Sequence, residues 1–165
     1  MKKLLSALVF SMIAFGAQAQ KDGLPSEDIR DLATNQTVSF KDIIAEDSVN
    51  VISFWATWCV PCKAEIKNIA KKLDGWKKEV PFRYITISID EARAENMART
   101  FAANQGWTFP HYIDVKADLK RALNFQSVPY TLIIGKGGKI AGSHIGYQEG
   151  NEDKVFEEVK ELVKK

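Results

Sequence analysis

Runs of β-forming apolar residues alternate with stretches of helical periodicity along most of the chain. One run, VNVISFWA, begins at Val49, and another, FRYITISI, covers Phe82–Ile89. Neither alternates cleanly between apolar and polar residues, which is typical of central strands buried on both faces. Apolar residues three and four positions apart predict a helix after each strand, at about Val60–Leu73 and Glu91–Gln105, with Asp90 capping the second.

Weaker patterns supply the other elements. Gly75 and Pro81 are expected to separate the first helix from the second central strand. The apolar stripe of the second helix consists of Ala94, Met97, Ala98 and Phe101. Further strands are predicted at Asp28–Leu32, Thr37–Phe40, Tyr130–Gly135 and Ile140–Ile145, a short extended piece at Trp107–Pro110, and further helices at Ala117–Asn124 and Asn151–Val163. This order predicts an α/β fold, a three-layer α/β/α sandwich around a central mixed sheet with extra amino-terminal strands.

The first nineteen residues have the organisation of an export signal. Two lysines precede an apolar run over Leu4–Phe15. The AQA triplet that follows has small residues at the two positions that a signal peptidase recognises. The run is short for a membrane anchor, because about twenty apolar residues are needed to cross a bilayer. We therefore expect cleavage between Ala19 and Gln20 and a periplasmic protein.

The charge balance of the mature chain restricts its partners. The full chain has 23 Lys and Arg against 21 Asp and Glu, and losing Lys2 and Lys3 with the signal leaves 21 of each. A nucleic-acid partner is not expected, because such proteins need a basic excess or a basic face. The zero net charge also favours a monomer. We expect residues 20–27 to be a flexible lead-in and residues 28–165 to form one domain.

Both cysteines lie in a single C-x-x-C motif, Cys59-Val60-Pro61-Cys62. As a structural disulfide this pair would stabilise the folded state only slightly. The expected gain is about 2 kcal/mol for a four-residue loop, against about 4.7 kcal/mol for a hundred-residue loop. The pair also follows the first central strand, at the carboxyl end where open α/β sheets place their sites. Both observations favour chemistry over a structural role.

The predicted helix start suits thiol–disulfide exchange. Cys59 would meet unpaired backbone N–H groups and the positive end of the helix dipole, which favour its thiolate. Cys62 lies one turn further, within disulfide reach. We therefore expect Cys59 to attack a substrate disulfide and Cys62 to resolve the mixed disulfide. Pro61 in the first turn costs no hydrogen bond and presets the helical φ.

The stretch FWATWCVPCKAE at Phe54–Glu65 resembles the active-site stretch of the TlpA/ResA-like branch of the thioredoxin superfamily. The resemblance continues through a G-x-x-F-P motif at Gly106–Pro110, Asp114 and SVPYT at Ser127–Thr131, and covers about residues 25–163. It implies a thioredoxin-like fold and a protein-disulfide oxidoreductase without a cofactor. It also implies protein disulfides as substrates, in cytochrome c maturation or envelope redox homeostasis, and re-reduction by a membrane thiol transporter of the DsbD/CcdA kind.

The same resemblance assigns substrate-binding positions. Pro129 matches the family's cis-proline, which faces the cysteine pair and leaves the backbone of Val128 free to pair with a substrate peptide. Trp58 matches the aromatic residue beside the nucleophile. We expect these three residues and Pro61 to contact the substrate, and Trp55 to lie in the core.

An acidic residue bears on the direction of electron flow. Ser53 stands where ordinary thioredoxins carry a buried Asp, whereas Glu65 matches the acidic residue of the TlpA/ResA-like branch. By spacing it lies one turn beyond Cys62, and we expect it to accept the proton of that thiol; a surface glutamate is the alternative. An ionised carboxylate disfavours thiolate, which predicts a reductase nearer about −270 mV than the about −120 mV of a strong oxidant.

Other classes of protein stay open as alternatives. A thioredoxin-fold copper chaperone tends to use C-x-x-x-C with a distant His; the spacing here is one residue shorter, although His111 and His144 are present. A peroxidase needs one peroxidatic cysteine with Thr and Arg around it, and here only Thr57 lies close to Cys59 in sequence. A disulfide-forming oxidant would use the same pair in the opposite direction. We expect no bound metal.

Overall fold

The computed structural model describes residues 23–165, which form one seven-stranded sheet with helices on both faces. The strands are β1 Asp28–Asp31, β2 Thr37–Ser39, β3 Val49–Trp55, β4 Phe82–Ser88, β5 His111–Ile113, β6 Tyr130–Ile134 and β7 Ile140–Ile145. The helices are α1 Val60–Glu79, α2 Glu95–Asn104, α3 Asp118–Ala122 and α4 Asn151–Val163. The predicted export signal, its cleavage point and the first residues of the lead-in lie outside the described residues.

The sheet is mixed, in the order β2-β1-β5-β4-β3-β6-β7. Its centre is parallel, with β3 between β4 and the antiparallel β6, and β5 parallel to β4. The two amino-terminal strands pair with each other and, through β1, with β5. The predicted fold class, including the extra amino-terminal strands, is therefore confirmed.

Successive residues of β3 enter different cores, which explains its unbroken apolar sequence. Val51 and Trp55 pack with α1, α2 and α4 on one face of the sheet. Ile52 and Phe54 pack on the other face, with α3 and the segment after β2. A strand covered on both sides has no solvent-facing polar positions. Trp55 lies in the core, as predicted, and contacts the rings of Phe101 and Trp107.

Helix α1 is longer than the sequence pattern predicts, because Gly75 lies inside it and does not end it. The helix continues to Glu79, and Pro81 then separates it from β4. A glycine inside a helix costs about 0.5–1 kcal/mol relative to alanine. The next residue compensates: the Trp76 ring stacks on Phe156 of α4, with centroids 4.5 Å apart.

We expect Gly75→Ala to raise the free energy of unfolding by about 0.5–1 kcal/mol. A Cβ at this position would have no heavy atom within 4 Å, so the methyl group meets open space. Gly106→Ala is the matched control: φ there is +62°, in the left-handed region, and alanine should destabilise the protein. Urea unfolding of both variants measures the difference, and a destabilised Gly75→Ala would contradict the argument.

The region between β4 and β5 departs most from the prediction. A 3₁₀ turn at Ala92–Ala94 precedes α2, and Asp90 does not cap that helix. Met97, predicted to face the core, is 62% exposed, whereas Ala98 and Ala102 are buried. The short strand β5 was not predicted, because three residues are too few for a periodic signal.

Residues 23–27 precede the first strand and contact the domain. The Leu24 side chain packs against the apolar cluster under α3. The Ser39 hydroxyl donates to the Ser26 carbonyl at 3.2 Å, and the Phe40 amide donates to the Glu27 carbonyl at 2.9 Å. Within residues 23–165, no helix combines the length and apolar character that crossing a bilayer requires.

Candidate active site

The two cysteines lie at the junction of β3 and α1, where they form a disulfide. Cys59 is the N-cap of α1 and Cys62 lies in its first turn, with their Cα atoms 5.4 Å apart. The Cys62 amide donates to the Cys59 sulfur at 3.3 Å. Cys62 is fully buried and Cys59 nearly so. Because the first N–H groups of a helix lack internal partners, this position also favours a negatively charged sulfur after reduction.

Glu65 lies one turn beyond Cys62 and is buried, with 5% of its surface exposed. Its Oε1 accepts a hydrogen bond from the Thr131 hydroxyl of β6 at 3.0 Å, and its Oε2 has no hydrogen-bond partner. Burial raises the pKa of Glu65 from 4.5 to about 7; the Thr131 hydrogen bond opposes this rise, and the charge of Glu152 adds to it. The carboxyl group therefore exchanges its proton near neutral pH, as a general acid or base must.

The pKa of Glu65 changes the expected charge of this side chain. The sequence predicts an ionised carboxylate near the thiols, whereas the buried carboxyl is largely neutral below pH 7. Its effect on the cysteine thiols is therefore expected to depend on pH, and to be largest above neutrality. The alternative of a surface glutamate is wrong, because the side chain is buried between α1 and β6.

The peptide bond between Val128 and Pro129 is cis. Pro129 is buried and precedes β6, and its carbonyl accepts a hydrogen bond from the Gly146 amide at 2.8 Å. Val128 is half-buried and packs against the cluster that contains both cysteines. The same short segment therefore supplies the predicted substrate-binding backbone and, two residues on, the hydroxyl that holds Glu65.

Large apolar side chains are exposed around the cysteines. Trp58, 67% exposed, directly precedes Cys59, and the exposed Val60 and Pro61 follow it. Ile145 is 71% exposed at the end of β7, where it pairs with Tyr130, the residue after Pro129. The exposure of Val60 and Ile145 is not predictable from the sequence pattern, because a helix start or a strand end has no periodic signature.

Other residues from the sequence analysis have ordinary polar partners. Ser53 is buried and accepts a hydrogen bond from the Tyr84 hydroxyl at 3.1 Å. The Thr57 hydroxyl donates to Asp90 Oδ1 at 2.8 Å. His111 Nδ1 lies 3.0 Å from the Phe109 carbonyl oxygen, and His144 Nε2 lies 3.1 Å from a Glu158 carboxylate oxygen.

Metal ligation needs several donors in one place. Between residues 23 and 165, no group of three or more His, Cys, Asp and Glu side chains could hold a metal ion.

Asp114 is buried after β5; its Oδ2 accepts from the Lys120 amide at 2.8 Å, and its pKa is raised by burial. Its contacts hold the start of α3.

Comparison with known proteins identifies relatives over most of the chain. The AhpC/TSA family matches residues 16–143. Thiol-disulfide oxidoreductase ResA of Halalkalibacterium halodurans is 31% identical over 113 residues, 68% of this chain and 61% of the relative. Thioredoxin-like protein YneN of Bacillus subtilis is 31% identical over 96 residues, 58% of this chain and 55% of the relative. The chain thus spans less than two thirds of the length of these relatives.

A solved structure extends the similarity to the whole domain. The solution structure of a thioredoxin-like protein from Porphyromonas gingivalis is 34% identical, with a TM-score of 0.75. The alignment covers 86% of this chain and 92% of that protein. The chain therefore belongs to the AhpC/TSA family and has a thioredoxin-like fold.

Proposed function

We propose that this protein is an exported thiol–disulfide oxidoreductase that reduces protein disulfides. The observation that carries the proposal is the Cys59–Cys62 disulfide at the amino end of α1, with the buried carboxyl of Glu65 one turn away. An attacking thiol, a resolving thiol and a proton acceptor are the three groups that the reaction requires. The relative from Halalkalibacterium halodurans bears the name of this activity.

The first step is attack on the substrate. The reduced Cys59 thiolate attacks one sulfur of the substrate disulfide; a new S–S bond forms and the second substrate sulfur leaves as a thiolate, which takes up a proton. Trp58 and Ile145 offer apolar surface to the substrate chain, and the backbone beside Pro129 offers hydrogen bonds. The product of this step is a mixed disulfide.

The second step releases the reduced substrate. Cys62 gives its proton to Glu65, and the resulting thiolate attacks the Cys59 sulfur. The bond to the substrate breaks, and the substrate sulfur leaves and takes up a proton. The substrate gains two electrons, and the protein is left with its Cys59–Cys62 disulfide. A carboxyl with a pKa of about 7 can accept this proton at neutral pH and lose it again before the next turnover.

Each turnover leaves the Cys59–Cys62 pair oxidised, so an exported reductase needs a source of electrons that can reach the periplasm. The export signal expected at residues 1–19 would deliver the chain to the periplasm, a compartment that is kept oxidising. We therefore propose a membrane thiol reductant of the DsbD/CcdA kind, which returns two electrons and two protons to the pair. We propose further that the mature protein works as a monomer.

The redox potential tests the proposed direction. A reductase is expected to equilibrate below about −230 mV in glutathione or dithiothreitol buffers. We expect Glu65→Gln to raise the potential at pH 8, because removing a negative charge favours the thiolates of the reduced pair. At pH 6 the shift should be small, because Glu65 is then largely neutral.

Glu79→Gln is the matched control, since Glu79 is an exposed glutamate at the far end of the same helix. It should leave the potential unchanged at both pH values. A wild-type value near about −120 mV would instead identify a disulfide-forming oxidant and overturn the proposed direction.

A further inference from the structure

The loop between β3 and α1 is fastened by a buried carboxylate from the neighbouring strand. Asp90 follows β4 and is 2% exposed. Its Oδ2 accepts hydrogen bonds from the Thr57 amide at 2.8 Å and the Ser88 hydroxyl at 2.7 Å, and its Oδ1 accepts from the Thr57 hydroxyl at 2.8 Å. Three donors thus converge on one carboxylate, and two of them belong to Thr57.

A lysine holds the same residue on its carbonyl side. Lys63 Nζ donates to the Thr57 carbonyl oxygen at 2.8 Å and lies 5.5 Å from the centre of the Phe101 ring. The amide, hydroxyl and carbonyl of Thr57 therefore all have charged partners. We call this arrangement of Thr57, Asp90 and Lys63 the Thr57 clamp.

The clamp acts on the segment that carries the reactive groups. Thr57 directly precedes Trp58, which precedes Cys59, and the Cys59 amide donates to the Ala56 carbonyl at 3.0 Å. A rotation of the Thr57 peptide would therefore redirect both the indole and the sulfur. Capping of α2 does not account for Asp90, because its carboxylate bonds across to this loop.

We propose that Asp90 is a positioning residue whose hydrogen bonds to Thr57 hold this peptide so that Trp58 and the Cys59 sulfur face an incoming protein disulfide together. The proposal rests on the proposed reductase function. A small disulfide needs only the sulfur, whereas a protein substrate must meet the sulfur and the apolar surface in one fixed geometry. Loosening the clamp is therefore expected to slow reaction with protein disulfides selectively.

Thr57→Val tests the clamp without changing charge. The valine removes the hydroxyl donor and keeps the shape of the side chain and the backbone amide. We expect the second-order rate of the reduced protein with insulin disulfides to fall between about 10- and 100-fold, the range expected when reacting groups are displaced by a fraction of an ångström to one ångström. The rate with oxidised glutathione should change by less than about twofold, because the thiolate itself is unaltered.

Thr57→Ser is the matched rescue, since it restores the hydroxyl and should recover most of the rate with insulin. Hydrogen exchange of the Cys59 amide supplies a readout that does not depend on activity. Its exchange should be faster in Thr57→Val than in the wild type and close to normal in Thr57→Ser. Urea unfolding checks that both variants are folded under the assay conditions.

Two results would overturn the clamp. One is an unchanged insulin rate and unchanged amide exchange in Thr57→Val. The other is an equal loss with insulin and with glutathione, because that would place the effect on the thiol's reactivity. If the wild type fails to reduce insulin, the proposed function fails instead. Hydrogen exchange of the Cys59 amide then tests the clamp alone. Faster exchange in Thr57→Val than in the wild type supports the clamp, and an unchanged exchange rate overturns it.

Discussion

Replacing Cys59 by serine is expected to lower the rate of protein-disulfide reduction by at least about 10³-fold, as loss of a nucleophile typically does. The reaction needs a thiolate, and the amino end of α1 favours one at this position because Cys59 is its N-cap. A serine hydroxyl gains no useful nucleophilicity from the same helix end. Turnover of insulin disulfides, with dithiothreitol as the electron source, measures the loss.

Cys62→Ser should fail at a different step. Cys59 can still attack the substrate, but no second thiol resolves the product, so the mixed disulfide accumulates. Mass spectrometry after reaction with a disulfide-bonded protein should therefore detect a covalent adduct on Cys62→Ser and none on Cys59→Ser or the double variant. Cys62 is fully buried in the oxidised form, so it is not expected to attack the substrate directly. An adduct on Cys59→Ser would show that it does, and would reverse the assigned roles.

The reactive pair is the part of the site that a sequence specifies most directly. The C-x-x-C spacing places both sulfurs on one helical turn, and Pro61 marks where that turn begins. These features are local, and the disulfide and the N-cap position of Cys59 follow the expectation. The predicted bounds of α4 are also those observed, because its apolar stripe is long and regular.

Properties that depend on residues distant in sequence could not be predicted from local patterns. Spacing placed Glu65 one turn beyond Cys62, but its burial depends on β6, which lies more than sixty residues away and supplies the Thr131 hydroxyl. Asp90 precedes an apolar periodic stretch, and this local pattern predicts a helix cap. Its actual partners, Thr57 and Ser88, become visible only when β3 and β4 lie side by side.

Predictions from local helix propensity are wrong where tertiary packing outweighs that propensity. Gly75 was expected to end α1, since glycine is a poor helix former. The helix continues because the Trp76 ring, directly after Gly75, stacks on Phe156 of α4. A contact with another helix can offset a propensity cost of about 1 kcal/mol.

The burial of Glu65 has a consequence for stability that can be measured without a substrate. Its pKa is about 7 in the folded protein, against 4.5 for an ordinary glutamate, so the folded state binds this proton more tightly than the unfolded state. The free energy of unfolding must then fall as pH rises through the window from 4.5 to 7. Above that window the loss is complete, and amounts to about 3 kcal/mol.

Glu65→Gln should remove this loss, because an amide stays neutral at every pH. Relative to the variant, we expect the wild type to lose about 3 kcal/mol of unfolding free energy between pH 4 and pH 8. Urea unfolding of both oxidised proteins across this range measures the difference and cancels the titration of all other groups. The exposed Glu79→Gln should show no comparable trend. A wild-type-to-variant difference that is constant with pH would mean that the pKa of Glu65 is the same in the folded and unfolded states. Its carboxylate would then be too weak a base at neutral pH to take the Cys62 proton efficiently.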